Sequence, residues 1–419
     1  MRFFLFFVPL LFIACGNDDT ENTDSVFPSQ SRLSLEDAIE IAERTAMTMA
    51  NTNKHTRAEI SPIYIKADRS KCFVMQPTTR SVSYAPLLYI VNFTNDNGYA
   101  IISTSKNTEP VLAITDNGNY APKTKTSSDT GFDMFIRQAE AYVATNMFHA
   151  PQPIYTSDTI IEKKAPMLNV KWGQNVPEGD LCPNKVSGCV NTAIAMALSY
   201  YEYPKQIQLT YPNRDKDIEV LDWNEMKKHI VSYGVCDKYY YDEGKLKKCC
   251  SSSPAGHSMI SHLCRQLGEI NNSTYYEDGT GTNTRDDKIA PCLISLGYSN
   301  SNQLSTYSNE CLNSSLSNNN IAIVEGISSD DGSGHCWVVD GYINYLIRTY
   351  NRHTEPATIT VKTTNYVHVN WGYDGQNNGY YLDNVFNFSK YHELDSSYHP
   401  SIGYTINYNY KIKYLIVKK

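Results

Sequence analysis

Apolar residues recur at every third or fourth position from Leu35 to about Ala50, a spacing that gathers them on one face of a helix. Ser34 precedes the run as a candidate N-cap, and Asp37 stands three residues on, where a capping-box acid belongs. Two strand-like runs follow, Leu88–Phe93 and Gly98–Thr104, joined by the turn-rich Thr94-Asn95-Asp96-Asn97. A third run, Val111–Thr115, stops at Asp116-Asn117-Gly118, and helical spacing returns over about Phe132–Phe148. These elements predict a small α+β unit with no clustered acid, base and nucleophile. From Ala150 to Pro166 the pattern lapses into a Pro- and Thr-containing stretch with the dibasic pair Lys163-Lys164, which reads as a linker open to proteolytic nicking.

From about Leu168 the pattern is helical first, over 188–201, 222–231, 257–268 and 286–296. It then becomes strand-like, over 321–326, 335–342, 357–363, 366–371, 378–382 and 403–418, with 343–357 reading as an inserted loop. Helices followed by a terminal antiparallel sheet predict an α+β fold, not alternating parallel units. A chain of 419 residues favours two domains. The expected division is a signal segment at 1–14, a tether at 15–30, a first folded unit at 31–160 and a second at 161–419.

The N-terminus bears on address. Arg2 precedes an apolar run from Phe3 to Ala14, too short to span a bilayer as a mature helix and shaped like a signal-peptide core. Ala14-Cys15-Gly16 resembles the lipobox of bacterial lipoproteins, with Phe12 in place of the usual leucine; that implies acylation of Cys15 and membrane attachment through that lipid alone. An ordinary cleaved signal or an uncleaved anchor is the other reading. The expected location is therefore outside the cytoplasm, as an outer-membrane or cell-surface lipoprotein precursor, with release on maturation. A net charge of −7 gives no reason to expect nucleic acid as a partner. Of eleven cysteines, nine remain once Cys15 and Cys189 are set aside, so at least one stays free or pairs between chains. Neither Cys182/Cys189 nor Cys249/Cys250 has the repeated spacing of a zinc site, and His257 and His262 are misaligned as a metal pair on one helix.

Candidate chemistry centres on Cys189. It follows Ser187-Gly188 and opens the run Val190, Ile194, Ala197, Leu198 and Tyr201, a helix that ends at Tyr203-Pro204. A thiol is nucleophilic as thiolate, and a helix N-terminus with a nearby imidazole favours the anion. His335 is the best placed of the ten histidines, after Gly332-Ser333-Gly334 and before the apolar Cys336-Trp337-Val338-Val339. It lies about 145 residues beyond Cys189, within the range usual for papain-like enzymes. Alternation through Tyr366-Val367-His368-Val369 sets His368 and Asn370 on one face, where Asn370 could address an imidazole shielded by Trp371; His368 itself reads as a wall residue.

The ordered set Trp172-Gly173-Gln174, Gly188-Cys189-Val190-Asn191-Thr192-Ala193, Gly334-His335, Val339-Asp340-Gly341 and His368-Val369-Asn370-Trp371-Gly372 resembles the streptopain family of papain-clan cysteine peptidases. The resemblance covers most of 166–419. It implies a papain-like catalytic unit of two subdomains, one helical and one an antiparallel sheet, acting without cofactor or metal on protein or peptide substrates. Cys189 would be nucleophile, His335 general base and acid, Gln174 an oxyanion donor, and Asn370 and Trp371 the groups that orient His335. Thr280 and Gly281 would lie in a substrate-binding loop, with Gly334 lining the same cleft. The unit before it, with its Ser-Leu-Glu-Asp-Ala helix and Gly98-Tyr99-Ala100-Ile101-Ile102-Ser103 strand, resembles that family's inhibitory pro-segment, so the chain's own first unit would be its inhibitor. Two departures touch the cleft wall. Tyr373 stands where a second tryptophan is expected, and Val176-Pro177-Glu178 replaces Pro-Tyr-Asn.

Two other functions share these features. One is a surface lipoprotein that binds proteins on a silent peptidase fold; the intact Gln174, Cys189 and His335 speak against it. The other is a papain-fold acyl- or amidotransferase, chemically the same until an amine replaces water.

Overall fold

The computed structural model describes residues 32–51, 64–75, 86–121, 131–146, 155–214, 217–228, 240–242, 245–247, 254–301, 303–328, 332–351, 358–386 and 410–419. The expected signal segment, lipid-bearing Cys15 and tether lie outside the described residues, as do Cys236, Cys249 and Cys250.

The first unit comprises α1 (Leu35–Asn51), β1 (Phe73–Met75), β2 (Leu88–Asn92), β3 (Tyr99–Ser103), β4 (Val111–Thr115) and α2 (Gly131–Asn146). Ser34 and Asp37 cap α1 reciprocally: Asp37 N–H donates to Ser34 Oγ at 3.1 Å and Ser34 N–H to Asp37 Oδ2 at 3.2 Å. Every residue of β2, β3 and β4 is buried, and α1 packs on this sheet.

After β5 (Tyr155–Lys164) comes the helical part: α3 (Cys189–Tyr201), α4 (Trp223–Lys227), α5 (Pro254–Ile270), α6 (Ile289–Ser295) and α7 (Asn309–Ser317). Short strands lie between these helices: β6 (Gln206–Gln208), β7 (Ile218–Val220), β8 (Tyr240–Asp242), β9 (Lys245–Lys247), β10 (Thr274–Tyr275), β11 (Thr282–Asn283) and β12 (Ser305–Thr306). The chain closes with β13 (Ala322–Ser328), β14 (Gly334–Asn351), β15 (Thr358–Asn370), β16 (Gly379–Leu382), α8 (Asp383–Phe386) and β17 (Tyr410–Ile416).

Both units share one sheet. Its order among the described residues is β1-β2-β3-β4-β16-β15-β14-β13-β17-β12, with β5 added on β14. The join is antiparallel, Gly379 opposite Thr115, Tyr380 opposite Ile114 and Tyr381 opposite Ala113. Strand alternation along β14 then divides two cores. Trp337 and Val339 face the core shared with the first unit, while Cys336 and Val338 face the one built on α3, α5 and α6.

Three expectations are corrected. The stretch read as a linker contains β5, which pairs with β14 from Tyr342 opposite Lys164 to Thr349 opposite Tyr155. A backbone ladder accepts a polar strand wherever a long neighbour offers an open edge, so weak apolar patterning hid it. Residues 343–351 of the stretch read as an inserted loop instead lengthen β14, which pairs with β15 from Val338 opposite Asn370 out to Asn351 opposite Thr358. Finally, α7 was not anticipated; only Leu312 and Leu316 of it are buried, too few apolar positions to set a period.

Candidate active site

Gly188 turns the chain at φ 86°, a conformation side-chain-bearing residues avoid, and α3 begins at the next residue. From Val190 to Ser199 the helix is buried throughout. Its start is tied to the preceding loop: Thr192 Oγ1 donates to the Gly173 carbonyl at 3.1 Å, and Asn191 Nδ2 to the Ser187 carbonyl at 2.8 Å. That loop carries Gln174, whose carbonyl accepts from the Ser187 N–H at 2.8 Å and the Ser187 hydroxyl at 3.1 Å. Gln174 is thereby fixed beside the residues that lead into Cys189.

The Cys189 thiol is half-buried, and α3 packs on β14, which opens with Gly334-His335-Cys336. Burial, with Glu325 adding to it, pushes this thiol up to about 11. It is therefore protonated at neutral pH, contrary to the thiolate expected from a helix N-terminus. The physical reason is that burial here outweighs the favourable backbone N–H groups.

His335 is 5% exposed. Its Nε2 lies 2.8 Å from the Trp371 carbonyl oxygen. A carbonyl can only accept, so Nε2 carries the proton and Nδ1 is left as an acceptor. Nδ1 faces the Tyr373 hydroxyl at 3.3 Å, and the two rings stack at 4.9 Å and 9°. Burial lowers the imidazole to about 4, against the opposing pull of the Trp371 carbonyl and Asp133. The ring is neutral, with Nε2 on the Trp371 carbonyl and Nδ1 toward Tyr373.

What covers His335 is the first unit. A Cβ added at Gly131, the first residue of α2, would come within 2.2 Å of His335 Cδ2 and 2.9 Å of Trp371 Cε3. The missing side chain is what lets α2 close on the imidazole. Phe132 follows with an edge-on contact to Trp371 at 6.5 Å.

The other expected site residues fall as follows. Asn370 was expected to orient His335, but its Nδ2 donates to the Val170 carbonyl at 2.9 Å and its Oδ1 accepts from the Gly372 N–H at 3.2 Å. It shapes the turn that carries Trp371 and Tyr373, whose carbonyl and hydroxyl face His335. The Trp371 indole is buried. The hairpin β10–β11 brings Thr280 and Gly281 near: Asn184 Nδ2 donates to the Gly281 carbonyl at 2.7 Å, and Thr282 stands over Gly188. Thr280 itself is exposed and bonds Asp278. Gly334 opens β14 beside Gly326.

Sequence reasoning missed a second buried cluster. His368 Nδ1 lies 2.6 Å from Asp340 Oδ1 and Nε2 lies 3.0 Å from Asp116 Oδ2. Despite burial, the two carboxylates raise the imidazole to about 10, so it is a cation donating from both nitrogens. Asp340 and His368 belong to the second unit and Asp116 to the first. The visible signal was a buried-face histidine on β15 in register with Gly341 on β14, beside Asp340; the partner from the first unit could not be read from spacing. Tyr373 was noticed as a departure, and its contact with His335 was not foreseen.

All seven cysteines among the described residues, Cys72, Cys182, Cys189, Cys264, Cys292, Cys311 and Cys336, are free thiols.

The model of the Peptidase C10 family matches residues 171–381, just over half of the chain. That of the Spi protease inhibitor matches residues 30–143. No curated protein matches. Among solved structures, a cysteine-to-alanine mutant fragment of Prevotella intermedia prointerpain A is similar at a TM-score of 0.50 and 19% identity, over 80% of this chain and 96% of that one; at this identity the likeness concerns the fold. The active wild-type Prevotella intermedia interpain A cysteine protease aligns at a TM-score of 0.37 and 21% identity, over 62% of this chain and 95% of that one.

Proposed function

The chain belongs to the peptidase C10 family and is a cysteine protease made as a zymogen, and from that premise we propose that Cys189 is its nucleophile and His335 its general base and acid. The observation that carries this reading is the placement of Cys189 at the head of α3, a helix packed on β14, the strand that opens with Gly334-His335. Rotation of the His335 ring about its side-chain bonds, once Gly131 no longer covers it, would bring imidazole and thiol together. His335 would then take the Cys189 proton, and the sulfur would attack a peptide carbonyl. Gln174 and the Cys189 N–H would hold the oxyanion, worth about 3–4 kcal/mol per donor. His335 would return the proton to the leaving amine, and water would resolve the thioester.

In this reading Thr280, Gly281 and Gly334 would line the cleft that takes an extended peptide, and the enzyme would act as an endopeptidase. The apolar run before Cys15 supports an exported precursor carried by lipid on that cysteine, so a cut between Cys15 and the catalytic unit would free the enzyme from its anchor. Incubating the precursor and its Cys189→Ala form with casein tests the assignment. Wild type should degrade casein and shorten itself while the variant does neither; equal activity in both would end it. Mature enzyme found only in the membrane fraction would refute release.

A further inference from the structure

Glu325 is a buried acid at the Cys189 end of the core built on α3. Ile321 and Ile323 belong to that core, and strand alternation puts Glu325 on the same face. Its partner on β14 is Cys336, which faces the same core one residue after His335. At the far end of α3, Tyr201 donates its hydroxyl to the Val417 carbonyl at 2.5 Å, and the Val417 N–H bonds the Ile321 carbonyl at 3.0 Å. Cys189 lies about 18 Å back from there along α3, and Glu325 about 13 Å on from Ile321 along β13. A second tie fixes the near end. Lys413 of β17 stands opposite Glu325, and its ammonium pairs with Asp286 Oδ2 at 2.6 Å. Asp286 follows β11, whose Thr282 lies against Gly188, directly before Cys189, and donates its hydroxyl to the Val186 carbonyl at 2.6 Å. Glu325 is 6% exposed, and its Oε2 is buried with no hydrogen-bond partner among the described residues. An interior carboxyl oxygen left this way is costly unless something else comes to satisfy it. Burial and Asp286, against the pull of Lys413, push the acid up to about 8, so it holds its proton until a cation arrives.

We propose that Glu325 determines specificity, as the floor of a subsite beside Cys189 that takes a lysine or arginine side chain of the polypeptide being cut. The proposal deepens the reading of Cys189 as the nucleophile and rests on it. Once ionised, Glu325 joins Asp286 and Lys413 in a corner with one negative charge to spare, because Lys413 is already committed to Asp286. A long side chain with a charged tip suits an acid set back from the surface, since its methylenes can line the approach while its head meets the carboxylate. Arginine can offer paired N–H donors to the two oxygens, and Oε2 gains the partner it lacks. A leucine would leave that oxygen as it is, and a glutamate would bring like charge against it. The Thr280-Gly281 hairpin runs on through Thr282 toward Asp286, so the loop expected to bind substrate borders the same corner.

The test gives the processed enzyme a mixture of synthetic peptides of varied sequence and reads the products by mass spectrometry. Peptides in one mixture compete, so the arginine-to-leucine ratio of cleavage rates at a given position is a ratio of kcat/KM and cancels general damage from a substitution. At one position near the cut bond the wild type should favour arginine over leucine by about tenfold, the worth of one charge-assisted hydrogen bond in a partly wet site. Glu325→Gln should bring that ratio close to one, and Glu325→Lys should place glutamate above arginine at the same position. An absence of basic preference at every position overturns the proposal, and so does a preference that persists in Glu325→Gln. If Glu325→Gln fails to fold or mature, Glu325→Asp decides, because it keeps the charge but draws it back by one methylene. A ratio undiminished from wild type then sinks the proposal, and a smaller one supports it. Failure of the underlying assignment reads differently: Cys189→Ala would still cut these peptides. Failure of the subsite alone leaves Cys189→Ala inert and the wild type active but indifferent to arginine.

Discussion

Replacing Asp116 by asparagine removes one of two carboxylates that keep His368 charged, and it does so where the first unit meets the second. The histidine rises from 6.5 to about 10, which at 1.36 kcal/mol per unit corresponds to roughly 5 kcal/mol in favour of the cation, net of the cost of its own burial. Asp340 is fully buried and also accepts the Leu168 N–H at 2.7 Å, so it takes the larger part. The Asp116 side chain is 34% exposed, and solvent screening leaves it about 1–2 kcal/mol. Lys163 and Lys171, which face Asp116, help hold its carboxyl below the usual range, and the Tyr380 ring flanks His368 edge-on at 5.1 Å. Because the folded His368 value is raised, its contribution is complete below about pH 6.5 and disappears as pH climbs through about 10. The lowered Asp116 contributes above its ordinary value of 3.8 and is lost as pH falls below it. The deficit in Asp116→Asn should therefore be confined to the span between. Melting of the precursor in a Cys189→Ala background would show a loss of a few degrees at pH 7 and almost none above pH 10. The active chain bearing Asp116→Asn should shorten itself several-fold faster at pH 7. Identical melting at pH 7, or the same deficit at pH 10.5, would refute the argument.

Gly131→Leu should force α2 off the imidazole, since a Cβ alone would sit 2.2 Å from His335 Cδ2; the precursor should then process faster, and an unchanged time course on gels would contradict this. Acid should loosen the resting state through His335. With its folded value lowered to about 4, its contribution is full above about pH 6.5 and is lost as pH falls toward 4, a span of about 3 kcal/mol. Protease susceptibility of the first unit in a Cys189→Ala precursor should rise across that interval, and the rise should shrink in His335→Gln. An identical acid profile in the two chains would rule the histidine out.

The elements around Cys189 were legible because a glycine before an apolar helix is a local signal, and Gly188 with Val190–Leu198 supplies it without outside help. The strand at His335 was legible for a like reason, as was Val111–Thr115. What escaped was relational. Asn370 lies on the expected strand, yet Val170 and Gly372 claim its amide before His335 can. Gly131 looks like an ordinary helix start, and its meaning depends on a ring more than two hundred positions away in sequence. The segment at 155–164 carries too few apolar residues to announce a strand, and only the length of β14 calls for one. The state of the thiol could not be read either, because the cover that keeps it protonated comes from elsewhere in the chain.

When the inhibitory portion departs, Gly379, Tyr380 and Tyr381 lose the neighbour that now satisfies that margin of the sheet. The matured molecule is left with a raw lip of donors and acceptors, the kind of border onto which a foreign extended polypeptide can zip. Its brevity, three rungs ended by the turn into Asp383, keeps self-stacking in check.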